Sequence, residues 1–363
     1  MAAVCRTRGR DKALAGSGPM RPREAAAVHR FRAMNSNFST YGLSAADRKK
    51  AESWFAFVEA NLSRFRPDSE LSRLNRSGGR PFLLSPLLYE VLLQAEQFYR
   101  TTEGLFTPYL GKTMEELGYG GSFEELAEWG EGGAVGQGSL QERELEAADQ
   151  AADHRGSGSA GQHRPATTRP GGVKAPLLNA GMRSVVLGGE TAVDLGGIAK
   201  GLSAARLARM LRAQGVSAGG LDAGGDLALW GGADRVWEVG VEDPFRPGTD
   251  RFTLHPAGDC GIATSSAWKR RWKSAAGRSL HHILDPRTGQ PAGSDLVQVT
   301  VAAPDLTQAE VYAKCVLILG SEQGMAWLER RGAALSTVGI RRDGAIVQGG
   351  RSIRITEGGR EHG

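Results

Sequence analysis

Residues 131–175 contain almost none of the large apolar side chains that a folded core requires. Gly, Ala, Gln, Glu, Arg and Ser make up most of this stretch. Such a composition cannot bury enough surface to offset the conformational entropy lost on ordering. The sequence therefore predicts a mostly disordered insertion, and a folded domain has to be assembled from the apolar segments on either side of it.

The two flanking segments contain both helical and strand patterns. Before the insertion, apolar residues at i, i+3 and i+4 spacing from Ala51 to Leu62 predict one helix, and Ser85 with Pro86 predicts the start of another. After it, VWEVGVEDP, VQVTVAAP and LSTVGI predict strands, as do the shorter SVVLGG and TAVDLG, and a further helix is predicted from Gln308. Because strands and helices do not alternate strictly, the predicted fold class is α+β.

One folded domain is predicted between two polar ends. It spans residues 31–345 and includes the insertion at 131–175. The first 30 residues are polar and rich in Gly and Arg, so they are predicted to be disordered. Residues 346–363 are predicted to form a C-terminal tail.

Composition argues against several classes of protein. The net charge of +5 is modest and no long Lys/Arg face accompanies it, so nucleic acid is not a predicted partner. Three cysteines without C-x-x-C spacing argue against a zinc site or a disulfide framework and favour a reducing compartment. No run of about 18 apolar residues predicts a membrane span, and no apolar stretch of signal length follows the basic N-terminus. The predicted location is cytoplasmic.

The stretch TAVDLGGIAKGLSAARLARML, residues 191–211, predicts a turn that leads into a helix. Glycines separate Asp194 from Lys200. One interpretation is structural: the glycines give the turn its freedom, Asp194 caps the helix and Lys200 lies in solvent. The other is a phosphate site, since glycine permits close backbone approach and a helix N-terminus with a lysine favours negative charge. Neither the Rossmann fingerprint nor the P-loop is present, so the stretch alone leaves both interpretations open.

Two further stretches combine glycines or histidines with titratable side chains. LDAGGDLALWGG places Asp222 and Asp226 around two glycines, which indicates a bulge or a close backbone approach. SLHHILDPRTGQP contains His281 and His282, which point to opposite faces of a strand, so one of them can face a given site. No Glu or further His lies at ligand spacing, which argues against zinc. Packing alone can explain each stretch taken singly.

The order of these stretches along the chain resembles that of one family. RAMNSNF, PDSELSRLN, TEGLFTPYLG, VDLGGIAKG, LDAGGDLALWG, GIATSS and HHILDPRTGQP together resemble the ApbE family of FAD:protein FMN transferases, from about residue 34 to residue 340 without the insertion. The resemblance implies an α+β, T-fold-like protein of two lobes, with mixed sheets and helices and an FAD cleft between the lobes. It also implies that FMN passes from FAD to a threonine hydroxyl of an acceptor flavoprotein, with Mg²⁺ as cofactor and AMP as product.

The resemblance also assigns roles to individual residues. His282 matches the histidine of the family and is the candidate for moving the threonine proton, since its unperturbed pKa lies near working pH. The implied FAD contacts are Met34, Phe65, Arg66, Pro67, Leu105, Phe106, Thr107, Asp194, Lys200, Ile283 and Leu284.

At the implied metal site this chain departs from the family pattern. The resemblance implies ligands from the backbone of Gly197 and from an A-D-x-x-x-T helix, helped by the backbone of Ala313. This chain has Glu310 in place of the Asp and Lys314 in place of the Thr. Glu310 can still reach Mg²⁺, whereas charged Lys314 cannot be a ligand and would instead place an ammonium beside the pyrophosphate. A weaker Mg²⁺ requirement is therefore predicted.

Three functions follow from these observations. An active flavin transferase is preferred. An enzyme of the same fold that mainly hydrolyses FAD to FMN and AMP is the second, and a non-catalytic flavin-binding protein is the third. The sequence names neither the acceptor protein nor the oligomeric state.

Overall fold

Capped helices cover one side of the molecule. The computed structural model describes residues 5–9, 28–119, 121, 176–232, 237–256, 258–269, 271–273, 279–332, 334–350 and 353–357. Four of the helices in these ranges begin at a Ser or Asp whose side chain accepts a hydrogen bond from a backbone N–H two or three residues further on. The helices are α1 (Ala45–Leu62), α2 (Glu70–Asn75), α3 (Pro86–Thr101), α4 (Gly111–Glu116), α5 (Ala199–Ala213), α6 (Leu306–Leu319) and α7 (Ser321–Glu329).

An antiparallel sheet of eight strands forms the middle layer. Its order is β18-β17-β16-β11-β8-β7-β3-β2. The strands are β2 (Val28–Ala33), β3 (Ser36–Tyr41), β7 (Gly219–Ala223), β8 (Leu227–Trp230), β11 (Cys260–Ser266), β16 (Leu296–Ala303), β17 (Ser336–Arg341) and β18 (Ile346–Gly350). Val299 and Val301 of β16 pack in the core that the helices cover, whereas Ala302 packs in a second core on the opposite face. Both faces of β16 are therefore buried, although its alternation of apolar and polar residues is typical of a strand with one buried face.

A second, smaller sheet covers the other face of the middle layer. It has the order β1-β9-β10-β19. Its strands are β1 (Cys5–Gly9), β9 (Trp237–Glu242), β10 (Asp250–His255) and β19 (Arg354–Glu357). Trp237 and Phe252 of this sheet pack with Ile262 of β11 in the second core. Helices, large sheet and small sheet form three layers, which agrees with the predicted mixture of helices and strands.

Three short ribbons connect the layers. The first has the order β4-β6-β5, and the other two pair β12 with β13 and β14 with β15. Their bounds are β4 (Phe82–Leu83), β5 (Leu177–Asn179), β6 (Ser184–Val186), β12 (Arg271–Lys273), β13 (Ser279–His281), β14 (Leu284–Asp285) and β15 (Gln290–Pro291).

The strand predicted for TAVDLG is wrong, because residues 191–196 are neither helix nor strand. The side chain of Asn75 binds the backbone of Val193 in both directions, with its Oδ1 accepting from the N–H at 2.8 Å and its Nδ2 donating to the carbonyl at 2.9 Å. A side-chain amide thus satisfies the backbone groups that a neighbouring strand would otherwise pair.

Strands also occur in both end segments for which none was predicted. β1 lies within residues 1–30 and pairs with β9, while β18 and β19 lie within residues 346–363 and extend the two sheets. The predictions of an unstructured N-terminal segment and of a separate tail after residue 345 are therefore corrected for these strands. Edge strands form through backbone hydrogen bonds, which explains why polar composition did not reveal them. The insertion at 131–175 lies outside the described residues.

Among the described residues, the helices are all too short or too polar to cross a lipid bilayer.

Candidate active site

Asp194 is the anchor of the loop that precedes α5. Its backbone N–H donates to the carbonyl of Pro108 at 2.8 Å, and its Oδ1 accepts from Gly196 N–H at 2.6 Å. Its Oδ2 lies 2.8 Å from Nε of Arg64, and the side chain of Arg64 is 7% exposed. The N-cap residue of α5 is Ile198, whose side chain makes no capping hydrogen bond. Asp194 therefore does not cap the helix and instead fixes the glycine turn.

The first turn of α5 contacts Glu310 of α6. The N–H of Gly201 donates to Oε2 of Glu310 at 2.8 Å. A Cβ atom on residue 201 would lie 2.6 Å from that same oxygen, so only glycine permits this approach. The carboxylate of Glu310 is therefore held in place by the helix that follows the Asp194 loop.

Lys314 lies one helical turn after Glu310 and pairs with it. Its Nζ is 3.2 Å from Oε1 of Glu310 and 3.3 Å from the carbonyl oxygen of the same residue. The side chain of Glu310 is 2% exposed and that of Lys314 19%. A Cβ atom on Gly197 would lie 3.3 Å from Cε of Lys314 and 3.4 Å from the ring of Phe106. Three of the predicted metal positions and one predicted FAD contact therefore lie together.

Two buried carboxylates, those of Asp222 and Asp226, flank the turn between β7 and β8. Gly224 and Gly225 have φ angles of 76° and 100°, which a turn of this kind requires. Oδ1 of Asp222 accepts from Gly225 N–H at 2.7 Å, and Oδ1 of Asp226 accepts from Thr264 N–H at 3.2 Å. Burial, then the nearby charge of Asp226, raises the pKa of Asp222 to about 7.

Charged side chains of α5 and α6 shift the pKa of Asp226. Burial and the carboxylate of Glu310 raise its pKa to about 6, while Lys200 and Lys314 act in the opposite direction. The four side chains of Asp226, Glu310, Lys200 and Lys314, called the charged cluster below, thus form one electrostatic group of two acids and two bases.

The turn between β2 and β3 lies next to the charged cluster. A Cβ atom on Gly224 would lie 2.9 Å from Cβ of Ser36 and 3.8 Å from Cε of Lys200. Just before Ser36, Met34 and Asn35 have φ angles of 48° and 52°, the pair of values typical of a two-residue hairpin turn. The N–H of Met34 donates to Oε2 of Glu59 at 2.8 Å. The backbone of Met34, a predicted FAD contact, is therefore held two residues before Ser36, in the turn that lies beside Lys200.

Two aromatic rings lie against the guanidinium of Arg64. Its guanidinium lies 4.3 Å from the ring centroid of Phe65 and 5.0 Å from that of Tyr119. The ring of Tyr119 stacks on Trp272, with centroids 5.1 Å apart. Phe65 is 37% exposed. An exposed ring therefore lies beside the ion pair that holds Asp194.

The two histidines occupy different environments at the end of β13. His281 is buried, and its Nε2 lies 3.2 Å from the carbonyl oxygen of Ala292. Burial lowers the pKa of His281 to about 4, so this ring is neutral near pH 7. His282 is half-buried. The two rings therefore differ in burial, and the ring of His282 is the more accessible of the two.

The remaining predicted contacts divide into packed and accessible positions. Ile283 and Leu284 are each 4% exposed and pack in apolar clusters, so a ligand would reach mainly their backbone. Leu105 and Thr107 are half-buried. Arg66 and Pro67 are exposed, and Arg66 pairs with Asp68.

Some residues of this site are not predicted by the sequence patterns. One is Arg64, the ion-pair partner of Asp194. The others are Asp222 and Asp226, for which the sequence indicates a close backbone approach but no role in the site. The turn glycines were the available signal for the two acids, while nothing near Arg64 in the sequence points to Asp194.

A protein-family model matches the sequence of this chain. The model described as the ApbE family covers residues 34–337, which is more than half of the chain. The chain belongs to the ApbE family. A Treponema pallidum protein named FAD:protein FMN transferase is 31% identical over 282 residues, covering 74% of this chain and 70% of that protein. A protein of the same name from Vibrio cholerae is 28% identical over 275 residues, covering 75% of this chain and 73% of that protein.

Solved structures of the ApbE family share the fold. The crystal structure of the ApbE protein from Thermotoga maritima superposes with a TM-score of 0.69 at 22% identity, covering 89% of this chain and 97% of that one. At this level of identity the likeness concerns the fold alone. It confirms the predicted α+β, ApbE-like fold class.

The metal positions of this ApbE-family chain do not match the needs of a divalent ion. Mg²⁺ takes about six oxygen ligands in an octahedron. Both carboxylate oxygens of Glu310 already accept hydrogen bonds, from Gly201 and Lys314, and an ammonium can only donate. Among the described residues no group of three or more His, Cys, Asp or Glu side chains could hold a metal. As these side chains stand, the site is built around an ammonium and not around a divalent ion.

A groove of about 490 Å³ lies between α1 and α5. Trp54, Phe57 and Met210 line it together with Lys49 and Lys50. None of its lining residues belongs to the predicted site, so the groove is not assigned to the chemistry described above.

Replacing Asp222 with asparagine is expected to flatten the pH dependence of stability. Its pKa of about 7 lies above the value of about 4 for an unfolded chain, so the folded state retains the proton longer. The free energy of unfolding should therefore fall as pH rises from about 4 to about 7. Urea unfolding at pH 5 and pH 8 should show a smaller fall for Asp222→Asn than for the wild type. Asp343→Asn, at an exposed carboxylate, is the control, and identical pH dependence in all three proteins would contradict the assignment.

Proposed function

We propose that this chain transfers FMN from FAD to a threonine hydroxyl of an acceptor flavoprotein and releases AMP. The observation that supports this most directly is the charged cluster, in which Lys200 and Lys314 both act on Asp226 and their stems lie beside Gly224 and Gly197 respectively. A pyrophosphate needs ammonium donors and close backbone approach, and the two lysines and these glycines offer both. Membership of a family whose relatives are named FAD:protein FMN transferase supports the same conclusion.

The proposed reaction is one displacement at phosphorus. The threonine Oγ forms a bond to the phosphorus of the FMN half of FAD. The bond from that phosphorus to the bridging oxygen breaks, and AMP leaves with this oxygen. The threonine proton has to be removed and the negative charge on the phosphate oxygens has to be stabilised.

His282 is proposed to accept the threonine proton. It is half-buried at the end of β13, whereas its neighbour His281 is buried and its pKa is lowered to about 4 by that burial. A base with so low a pKa takes a proton poorly near neutral pH. The pair therefore favours His282 as the catalytic residue, and His281 as a packing residue.

The proposed FAD contacts surround the charged cluster. Lys200 and Lys314 would face the pyrophosphate, and the exposed ring of Phe65 offers an apolar surface for an aromatic ring of FAD. Asp194, held by Arg64, would accept a hydrogen bond from the flavin. The other proposed contacts are Met34, Arg66, Pro67, Leu105, Phe106, Thr107, Ile283 and Leu284.

Incubation with FAD and a threonine-bearing acceptor flavoprotein tests this proposal. The expected result is an acceptor whose mass increases by one FMN, with one AMP released for each adduct. The resemblance predicts Mg²⁺ as a cofactor, so the reaction is run with MgCl₂ and separately with EDTA. An acceptor with valine at the target threonine is the control and should gain no mass.

Two results would overturn the transferase proposal. Equal amounts of FMN and AMP with an unmodified acceptor would indicate hydrolysis of FAD. Unchanged FAD under both metal conditions, with FAD still bound, would indicate a non-catalytic flavin-binding protein.

A further inference from the structure

The charged cluster has an internal positive charge where the family pattern predicts a hydroxyl ligand. Lys314 enters from α6, and its ammonium is fixed by two oxygens of Glu310 at 3.2 and 3.3 Å. Its aliphatic stem lies against the backbone of Gly197, as the short distance from a Cβ built there shows. The position of the ammonium is therefore determined by contacts with two different segments of the chain.

The acids of the cluster are already balanced by protein groups. Asp226 is acted on by Glu310 and by the opposing charges of Lys200 and Lys314, so two acids face two bases. Glu310 also accepts from the N–H of Gly201. A divalent ion entering this group would be repelled by the ammonium groups of Lys200 and Lys314.

We propose that the ammonium of Lys314, acting with that of Lys200, takes the place of a divalent cation in binding the pyrophosphate of FAD. This inference rests on the proposed function, because it concerns the same pyrophosphate. The two ammonium groups, of which that of Lys314 is held by Glu310, supply hydrogen-bond donors and positive charge without any metal ligand. FAD binding and FMN transfer should then proceed in the presence of EDTA.

Equilibrium binding of FAD tests the inference without relying on turnover. The dissociation constant is measured by tryptophan fluorescence, in EDTA and over a MgCl₂ titration, for wild type, Lys314→Met, Lys314→Arg and Lys314→Thr. For the wild type we expect binding in EDTA, with less than a threefold change on adding Mg²⁺. Lys314→Met should weaken binding in EDTA at least tenfold and Lys314→Arg should bind nearly as the wild type. Lys314→Thr should bind weakly in EDTA and recover with Mg²⁺.

Two further variants separate a charge effect from a folding defect. Lys314→Met leaves the buried carboxylate of Glu310 without its ammonium partner, which can destabilise the fold. The double variant Glu310→Gln with Lys314→Met removes both charges, and it should fold as the wild type by thermal unfolding yet still bind FAD weakly in EDTA. Lys50→Met, which removes an exposed lysine paired with Asp47 on α1, is the matched control and should not change FAD binding.

The outcomes separate this inference from the proposed function. Wild-type protein that binds FAD and transfers FMN only with Mg²⁺ would overturn the inference and leave the transferase intact. Unchanged affinity of a folded Lys314→Met variant in EDTA would also overturn it. Wild-type protein that binds no FAD under either condition would instead overturn the proposed function.

Discussion

Replacing His282 with alanine is expected to lower the rate of FMN transfer by about 10²–10⁴-fold, the usual contribution of a general base. FAD affinity should change little, because the charged cluster and the Arg64–Asp194 pair do not include this residue. The measurement is single-turnover FMN transfer to the acceptor, together with the dissociation constant for FAD.

His281→Ala is the matched control for this prediction. His281 is buried and neutral, so its loss should lower the free energy of unfolding while the transfer rate of the folded enzyme stays within a few-fold of wild type. A rate for His282→Ala equal to that of the wild type would reject the assignment. Equal loss of rate in both variants would reject it as well.

Gly261→Ala is expected to destabilise the fold by about 3 kcal/mol or more, at the upper end of what overpacking costs. A Cβ atom on Gly261 in β11 would lie 2.3 Å from both the N and Cα of Leu306. These are backbone atoms at the start of α6 and cannot move aside as the end of a flexible side chain can. Either the strand or the helix has to shift, and α6 holds both Glu310 and Lys314. Urea unfolding measures the loss, and FAD affinity should fall as well.

Gly293→Ala is the control for the Gly261 substitution. A Cβ atom there would meet nothing within 4 Å, and the backbone at that position does not require glycine. Its stability should therefore remain within about 0.5 kcal/mol of wild type. A Gly261→Ala protein as stable as the control would show that β11 and α6 are less closely packed than the structure has them.

Local patterns in the sequence predicted several of the elements. The spacing of apolar residues located α1, and the Ser85-Pro86 pair located the start of α3. Alternating apolar residues located β9, β16 and β17. The order of the motifs predicted the family and its fold, which the comparisons confirm. TAVDLG failed as a strand because the partner of its backbone is a distant side chain, Asn75.

Lys314 shows how far the sequence alone could be taken toward a mechanism. Its spacing from Glu310 places both side chains on one helix face, and the resemblance to the ApbE family implied that its ammonium stands where a hydroxyl is expected. Whether the two side chains form an exposed ion pair or a buried one depends on what packs over them. In the fold, Gly197 and Gly201 approach α6 closely enough to bury Glu310 and half-bury Lys314.

The sequence by itself determined several helices and strands, the family and the types of residue available for the chemistry, because these depend on short-range spacing and motif order. Only the tertiary structure decided that Arg64 holds Asp194, that Gly201 holds Glu310, and that Asp226 joins the two lysines. Each of these contacts joins segments far apart in the chain. Their geometry, burial and electrostatics exist only after the sheets and helices pack, since burial is the largest cause of the raised pKa values of Asp222 and Asp226.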